Sequence, residues 1–238
     1  MSRTSSETRA DSRVRPLKAL GAARKLMADP NDTQQVFVIL KALRGRAYGR
    51  IFRQFAATPT GAKVLRDQHR LLDVLQDHAT LETLGPSTLG GTYLAFMRAE
   101  DLSADGLVLP SALVEDNDDI TPGMRLVRDR LRDAHDLNHT VTGYGREPLG
   151  ELCLLAFMFG QTRNAGLLFI VMAGLKKHGF GKQAPAVWLA IWEAWRRGRK
   201  ARWLPGTDWE AELASPLASV REMLEVGIAP RYEALKPA

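Results

Sequence analysis

A polar capping residue followed by proline recurs along this chain, ahead of segments whose apolar residues return at helical spacing. Thr58–Pro59, Thr121–Pro122 and Ser215–Pro216 are such pairs, and Pro148 opens a fourth segment. A Ser or Thr side chain can accept a free amide of the first turn, and proline suits that turn because its missing N–H would have no partner there. No long stretch alternates apolar and polar residues as a sheet would require. The pattern therefore predicts an all-α fold.

The length and composition predict one multi-helix domain. The chain has 238 residues, 45% of them hydrophobic, which is enough for a single buried core. Residues 1–17, MSRTSSETRADSRVRPL, are polar and charged. We expect them to form a flexible tail and residues 18–238 to form the domain. Within it, residues 101–123 are expected to be loosely structured.

Several classes of protein are disfavoured by what the sequence contains. Cys153 is the single cysteine, which excludes an internal disulfide and any site built from several thiolates. The apolar run 149–175 is interrupted by GQTRN at 160–164, which predicts two buried helices and not a membrane span. There is no GxGxxG motif after a strand, so no nucleotide cofactor is implied.

The net charge of +6 suits nucleic acid, an anionic membrane or an acidic small molecule. Trp188, Trp192 and Trp195 form a stripe just ahead of the basic run RRGRKAR. This arrangement predicts contact with an anionic membrane surface. The alternative is a stripe that packs in the core, with basic residues at the helix C-terminus. No recognised nucleic-acid-binding fold accompanies the run, so nucleic acid is not a predicted partner.

The segment 128–151 contains a candidate metal site. His135 and His139 lie four residues apart, and on a helix their Cβ atoms would be about 5–6 Å apart. Two imidazoles at that spacing can bind one ion at roughly 2.0–2.1 Å. Asp136 lies at the edge of the same helix face, as a third ligand or as a group that orients a histidine. The alternative is a solvated helix face with polar i,i+4 pairs.

Glu151 can complete this site from a second helix. Gly143 and Gly145 in TGYG permit a sharp turn, and the helix opened by Pro148 then carries Glu151 in its first turn. Two imidazoles with one or two carboxylates suit zinc, and also iron(II) or manganese.

Arg128 and Arg132 are candidate anchors for an anionic substrate. They precede His135 by seven and three residues, which places them on the histidine face of a continuous helix. Guanidinium groups bind carboxylates and phosphates. The alternative is that both arginines pair with Asp129 and Asp133 on a charged outer face.

The order His135, Asp136, His139, eleven residues and then Glu151 resembles the HDxxH–x11–E hallmark of the ubiquinone (coenzyme Q) biosynthesis protein 4 family. The blocks DPNDTQQVF, GPSTLGGTYLAFM, LGELCLLAF and WEAWRRGRKARWLPGTDWE are also similar to that family. The resemblance covers roughly residues 18–232 and shows no departure at the four ligand positions.

This resemblance implies an α-helical protein with one divalent metal, zinc by preference and iron or manganese otherwise. It implies an enzyme, a lyase or oxidoreductase, that decarboxylates and hydroxylates ring carbon one of a polyprenylated hydroxybenzoate-type intermediate. Arg128 or Arg132 would hold the substrate carboxylate, and the apolar segments after Glu151 would line a tunnel for the prenyl tail or simply form the core. The alternative implied function is a non-catalytic scaffold that binds prenyl lipid.

The same resemblance implies partners and a location. The partners are a prenylated quinone precursor or another isoprenoid lipid, the membrane surface, other ubiquinone-biosynthesis enzymes and a second copy of the chain. Glu7 and Asp11 argue against a transit peptide, which favours a bacterial cytoplasmic protein peripheral to the inner membrane. In a eukaryote, the matrix face of the mitochondrial inner membrane would be the equivalent location.

Overall fold

The computed structural model describes residues 13–29, 32–115, 120–178 and 181–235. These residues form sixteen α-helices and two short 3-10 turns without a β-strand. The predicted all-α fold is therefore confirmed. Residues 1–12 of the predicted tail lie outside the described residues, and the first helix begins at Pro16, just inside the range assigned to that tail.

The helices fall into an N-terminal and a C-terminal half. The first eight are α1 Pro16–Ala28, α2 Gln34–Leu43, α3 Ala47–Ala56, α4 Pro59–Asp67, α5 Leu71–Leu75, α6 His78–Glu82, α7 Leu89–Ala99 and α8 Val108–Glu115. The last eight are α9 Pro122–Asp133, α10 His135–Thr142, α11 Pro148–Thr162, α12 Ala165–His178, α13 Ala184–Lys200, α14 Trp209–Glu212, α15 Leu217–Met223 and α16 Pro230–Glu233.

Most of the predicted helix starts are observed, and the predicted caps Thr58 and Thr121 are among them. The hydroxyls of Thr58 and Thr121 accept the amides three residues on, and Glu147 does the same ahead of Pro148. The start predicted at Ser215–Pro216 lies slightly later, since α15 begins at Leu217 with Pro216 before it. The sequence signals thus located helix boundaries to within a residue or two.

The prediction of a loosely structured segment at 101–123 was wrong in part, because α8 lies within it. This helix packs against α2, where Lys41 Nζ donates to the carbonyl of Val114 at 2.7 Å. Ser111 is buried, while Leu109 and Leu113 are exposed. With only eight residues, α8 is too short to be marked by periodicity, and its packing against α2 supports it.

The core is built around α11 and α13, which pack closely along their length. Their buried residues join those of α7, α10 and the C-terminal helices in one cluster that includes Leu137, Leu154, Phe157, Ala194 and Tyr232. Smaller clusters lie among α1, α2 and α12 and among α3, α4 and α9. Within the described ranges, none of the helices combines the length and apolarity that crossing a bilayer requires.

Candidate metal centre

The motif lies on a short helix that follows a break. Ala134 has φ −76° and ψ 0°, which ends α9 at Asp133 and lets α10 begin at His135. His135 and Asp136 therefore occupy the first turn of α10. Arg128 and Arg132 were predicted to share a face with the histidines on the assumption of one continuous helix. Because α9 ends before His135, helical spacing no longer supports that prediction.

Glu151 reaches the two histidines from the start of α11. Gly143 ends α10 with φ +80°, a conformation that glycine adopts without strain. Gly145 also lies in a crowded place, because a Cβ atom there would be 2.3 Å from Oε2 of Glu147 and that side chain would have to move. The two glycines allow a tight turn that directs the first turn of α11 back towards α10.

Three ligand atoms converge at this junction. Nε2 of His139 lies 3.2 Å from Nε2 of His135 and 3.5 Å from Oε1 of Glu151. Nε2 of His135 lies 3.8 Å from Oε2 of Glu151. Asp136 offers a further oxygen, since ligand atoms of His135, Asp136 and His139 all lie within 4.8 Å of one another. Asp136 and Glu151 therefore each lie near both histidines.

These separations fit one metal ion. Two ligands at about 2.0–2.1 Å from a tetrahedral ion lie about 3.3 Å apart. The shortest separations in the cluster, 3.2 and 3.5 Å, are close to that value. Two imidazole nitrogens and one or two carboxylate oxygens form a donor set that suits zinc, iron(II) or manganese.

The backbone fixes the tautomer of His139. Its Nδ1 lies 2.9 Å from the carbonyl oxygen of Tyr144, and a carbonyl can only accept, so Nδ1 carries the hydrogen. In the neutral ring, the lone pair is then on Nε2, the atom that faces His135 and Glu151. Carbonyl contacts of this kind orient metal-binding histidines in proteins.

Burial and charge act in opposite directions on the ionisable groups. Burial would raise the pKa of Glu151, but the hydrogen bond from His139 and the nearby positive charges lower it to about 2. Burial tends to lower the pKa of His139, yet its interactions with Glu151 leave that pKa raised. Burial lowers the pKa of His135 despite the same carboxylate. The site thus favours a carboxylate and one neutral imidazole, and a bound cation would replace the proton shared by His139.

The site has one open side. The side chain of His139 is 0% exposed and is stacked on Phe96 from α7, with ring centroids 5.7 Å apart. His135 is 27% exposed and Glu151 is 29% exposed. A molecule from solvent would therefore approach past His135 and Glu151, while α7 closes the side beneath His139.

Arg128 and Arg132 have partners on their own helix. Arg128 donates to Asp129, and Arg132 pairs with Asp129 and Asp133. These are the pairs that the alternative prediction named, although both arginines are largely buried and do not form an outer face. Their role as anion anchors stays a prediction.

Arg146 is the guanidinium that lies at the cluster, and sequence reasoning missed it. Its Nε is 3.5 Å from Oε1 of Glu151, and its side chain is 35% exposed. It stands five residues before Glu151 in the loop between the two helices. The sequence feature that could have identified it is a basic residue in the tight turn between the two helices that carry the ligands. The carbonyl of Tyr144 had no sequence signal, because every residue carries one.

A pocket of about 320 Å³ lies away from the cluster, beside α9. Its lining includes Arg70, Leu71, Arg125, Leu126 and Asp133, and none of the four ligand residues. The apolar segments that follow Glu151 do not line it either, since Leu152, Leu154 and Phe157 are packed in the main core. For these three side chains, the structure favours the core alternative over a tunnel.

Known proteins resemble this chain over most of its length. A family model described as "Coenzyme Q (ubiquinone) biosynthesis protein Coq4" matches residues 10–230. The mitochondrial ubiquinone biosynthesis protein COQ4 of Pyrenophora tritici-repentis is 31% identical over 76% of this chain and 60% of its own length. The Podospora anserina protein of the same name is 29% identical over 72% of this chain. This chain covers only 55% of the Podospora protein.

An animal relative and a solved structure extend the comparison. The COQ4 homolog of Rattus norvegicus is 28% identical over 90% of this chain and 78% of its own length. A crystal structure of a Nostoc punctiforme protein, provisionally assigned to ubiquinone biosynthesis, superposes with a TM-score of 0.64 at 20% identity. The superposition covers 90% of this chain and 99% of the Nostoc chain, so the two share a fold.

Proposed function

The chain belongs to the coenzyme Q (ubiquinone) biosynthesis protein Coq4 family, and from that premise we propose that it is a metal-dependent enzyme of ubiquinone biosynthesis. Its proposed substrate is a polyprenylated hydroxybenzoate-type acid. Its proposed reaction replaces the carboxyl group on ring carbon one with a hydroxyl group.

The observation that carries this proposal is the convergence of the His135, His139 and Glu151 side chains from two helices. Three or four protein ligands would leave coordination positions on a bound metal open for substrate. A bound divalent metal would supply Lewis-acid chemistry, polarising the oxygens of an aromatic acid. His135 and Glu151 lie at the open side, and His139 is held from behind by Tyr144 and Phe96.

Arg146 is the group that we propose for substrate binding at this opening. It has five N–H donors in a planar fork, and its Nε lies 3.5 Å from Oε1 of Glu151. A carboxylate is a good partner for the remaining edge of that fork. Arg128 and Arg132 would act as anchors only after giving up their bonds to Asp129 and Asp133.

The proposed reaction is an overall two-electron oxidation. The bond between ring carbon one and the carboxyl carbon breaks, and carbon dioxide leaves. A new carbon–oxygen bond forms on the ring, and the carboxyl proton is released or retained by the phenol. Dioxygen is the two-electron oxidant that we propose, since the chain carries no recognisable flavin or nicotinamide motif. Overall, the acid, dioxygen and water give the phenol, carbon dioxide and hydrogen peroxide, so the two electrons removed from the substrate reduce dioxygen to peroxide.

Metal analysis is the first test. We expect near-stoichiometric metal by mass spectrometry in the wild-type protein and a loss of metal in His135→Ala and Glu151→Ala. His69→Ala is the matched control, because that histidine is exposed and lies outside the cluster. A folded wild-type protein that takes up no zinc, iron(II) or manganese would refute the proposal.

Activity on a carboxylated prenyl phenol then tests the chemistry. Mass spectrometry should detect a product that has lost carbon dioxide and gained oxygen, and hydrogen peroxide should form in an equal amount if dioxygen is the oxidant. The product should be absent in the variants that lose metal. A metal-loaded protein that binds the prenyl phenol without converting it would instead support the scaffold alternative.

The scaffold alternative is favoured by one surface. Trp188, Leu189 and Trp192 of α13 are each close to half exposed, and the guanidinium of Arg196 lies 4.7 Å from the ring centroid of Trp192. Exposed indoles beside cations suit the headgroup region of an anionic bilayer. Trp195 differs from the predicted stripe, because it is partly buried against the main core.

Vesicle flotation tests this surface. The wild-type protein should float with vesicles that contain anionic lipid, and the double variant Trp188→Ser, Trp192→Ser should float less. Leu109→Ser is the matched control, since it removes an exposed apolar residue of α8 instead. Equal flotation of the wild type and the double variant would rule out α13 as the contact surface. Peripheral contact with a quinone-containing membrane and association with other enzymes of the pathway are parts of the same proposal.

A further inference from the structure

The carboxyl end of α10 is held by two arginines from distant parts of the chain. Arg221 of α15 donates from Nε to the carbonyl of Val141 and from Nη2 to that of Thr140, both at 2.9 Å. Arg197 of α13 donates from Nη2 to the carbonyl of Thr142 at 3.1 Å. These are the carbonyls that a helix leaves without partners at its last turn.

Arg197 is more deeply buried than Arg221 and donates to more backbone carbonyls. It is buried, and it also donates to the carbonyls of Val226 at 3.2 Å and Gly227 at 2.8 Å. Its hydrogen bonds within the described residues go to backbone carbonyls and not to a carboxylate. Burying a guanidinium without an acidic partner is costly, so stability alone is a poor reason for placing one here.

Arg197 is connected to the metal cluster through its contact with Tyr144, whose carbonyl accepts a hydrogen bond from His139. The guanidinium carbon of Arg197 lies 4.9 Å from the ring centroid of Tyr144, and the ring centroid of Tyr232 lies 5.0 Å from it. The hydroxyl of Tyr232 accepts from the amide of Gly145 at 2.7 Å. The ring of Tyr144 and the following peptide are thus both fixed from the C-terminal region.

The backbone of this same residue sets the state of His139. The carbonyl of Tyr144 accepts from Nδ1 of His139, which leaves the lone pair on Nε2. A rotation of the peptide after Tyr144 would remove that acceptor and free the ring to change tautomer. Whatever holds Tyr144 therefore controls the direction in which the His139 lone pair points.

We infer that Arg197 is a positioning residue for the metal centre, acting through Tyr144 on His139, with Arg221 holding the adjacent carbonyls. This inference rests on the proposed metal site. The segment WRRGRKAR, which suits a membrane surface by composition, then has two separate roles. Arg196 and Lys200 are exposed, whereas Arg197 points inward and ties the last turn of α10 to residues 226 and 227.

A lysine distinguishes positioning from simple charge. Compensation of the helix dipole requires only a cation at the end of α10, which Arg197→Lys retains. A lysine cannot bridge Thr142, Val226 and Gly227 while stacking on Tyr144, because its ammonium is a compact point charge without the planar fork. A positioning role therefore predicts a defect in Arg197→Lys, and a dipole role predicts none.

The test uses cobalt(II) as a spectroscopic probe on the full chain. We expect Arg197→Lys to weaken cobalt binding about 10–100-fold, the range found when groups behind a metal ligand are changed, and to alter the visible absorption of the bound ion. Arg202→Lys is the matched control, since Arg202 is exposed and pairs only with Glu225 in the described part of the chain. It should match the wild type.

A second measurement needs no metal. At a pH high enough to leave the His139 ring neutral, its ¹⁵N chemical shifts in the metal-free protein should report hydrogen on Nδ1 in the wild type and a mixture of tautomers in Arg197→Lys. If Arg197→Lys does not fold, Arg221→Lys, at a half-buried position, should show a smaller shift in the same direction. Cobalt affinity within twofold of wild type, with an unchanged spectrum and tautomer, would overturn the inference alone. Failure of the wild type to bind cobalt, zinc, iron or manganese would overturn the proposed function as well.

Discussion

The crossing of α11 and α13 yields a sharp prediction, because two glycines let these helices touch. A Cβ atom on Gly198 would lie 2.1 Å from the backbone carbonyl oxygen of Phe157. One on Gly160 would lie 2.7 Å from the carbonyl oxygen of Trp195. In Gly198→Ala, the new methyl group on α13 would therefore clash with the backbone of α11 inside the core.

The cost can be bounded from this geometry. Real Cβ atoms essentially never come within 3.0 Å of such an atom, so the helices must separate by roughly 0.9 Å at this point. Overpacking of this kind costs about 1–3 kcal/mol, and alanine recovers about 1 kcal/mol of helix propensity. Because the obstacle is backbone, we expect a net loss of about 2 kcal/mol, which lowers Tm by roughly 4–8 °C.

Thermal unfolding followed by circular dichroism measures this effect. Gly21→Ala is the matched control, since a Cβ atom there would meet nothing within 4 Å in the middle of α1. That variant should be slightly more stable than the wild type. If Gly198→Ala unfolds at or above the wild-type temperature, the argument from the close crossing is wrong. The same separation should displace the neighbouring Arg197, so weaker metal binding should accompany the lower Tm.

Three further predictions concern single side chains. Arg130→Met should destabilise the protein by about 3 kcal/mol in denaturant unfolding, because it leaves Glu210 without the guanidinium that binds both of its oxygens. Arg202→Ala breaks an exposed pair and should cost less than about 1 kcal/mol, so equal losses in the two variants would contradict the reasoning. Burial raises the pKa of the Cys153 thiol, so Ellman's reagent should react with it only after unfolding; rapid reaction of the native protein would contradict that burial. Arg146→Gln should raise KM for a carboxylated substrate while leaving metal content unchanged, and an unaltered KM would exclude its proposed role as an anchor.

Helix boundaries were the most predictable part of the structure. Thr58 and Thr121 are caps where the sequence placed them, because capping depends on a few neighbouring residues. The break at Ala134 and the helix α8 were not predicted. Both occur where the local pattern is ambiguous, so packing against other elements decides the outcome.

The proximity of the two candidate histidine ligands was also predictable, although their surroundings were not. Residues four positions apart are neighbours on any helix, so the proximity of His135 and His139 follows from the sequence once a helix is assumed. That Glu151 closes on them required the turn at Gly143 and Gly145, which the sequence permitted without dictating its direction.

The sequence by itself determined the all-α class, the helix starts and the set of metal-ligand candidates, because each depends on neighbouring residues in the chain. Only the tertiary structure decided which cations lie near the candidate site. Arg128 and Arg132 precede the motif closely, yet they are paired within their own helix. Arg197 follows His139 by 58 positions and reaches the end of α10. Long side chains from distant helices meet only when the core packs, and no short-range pattern records that meeting.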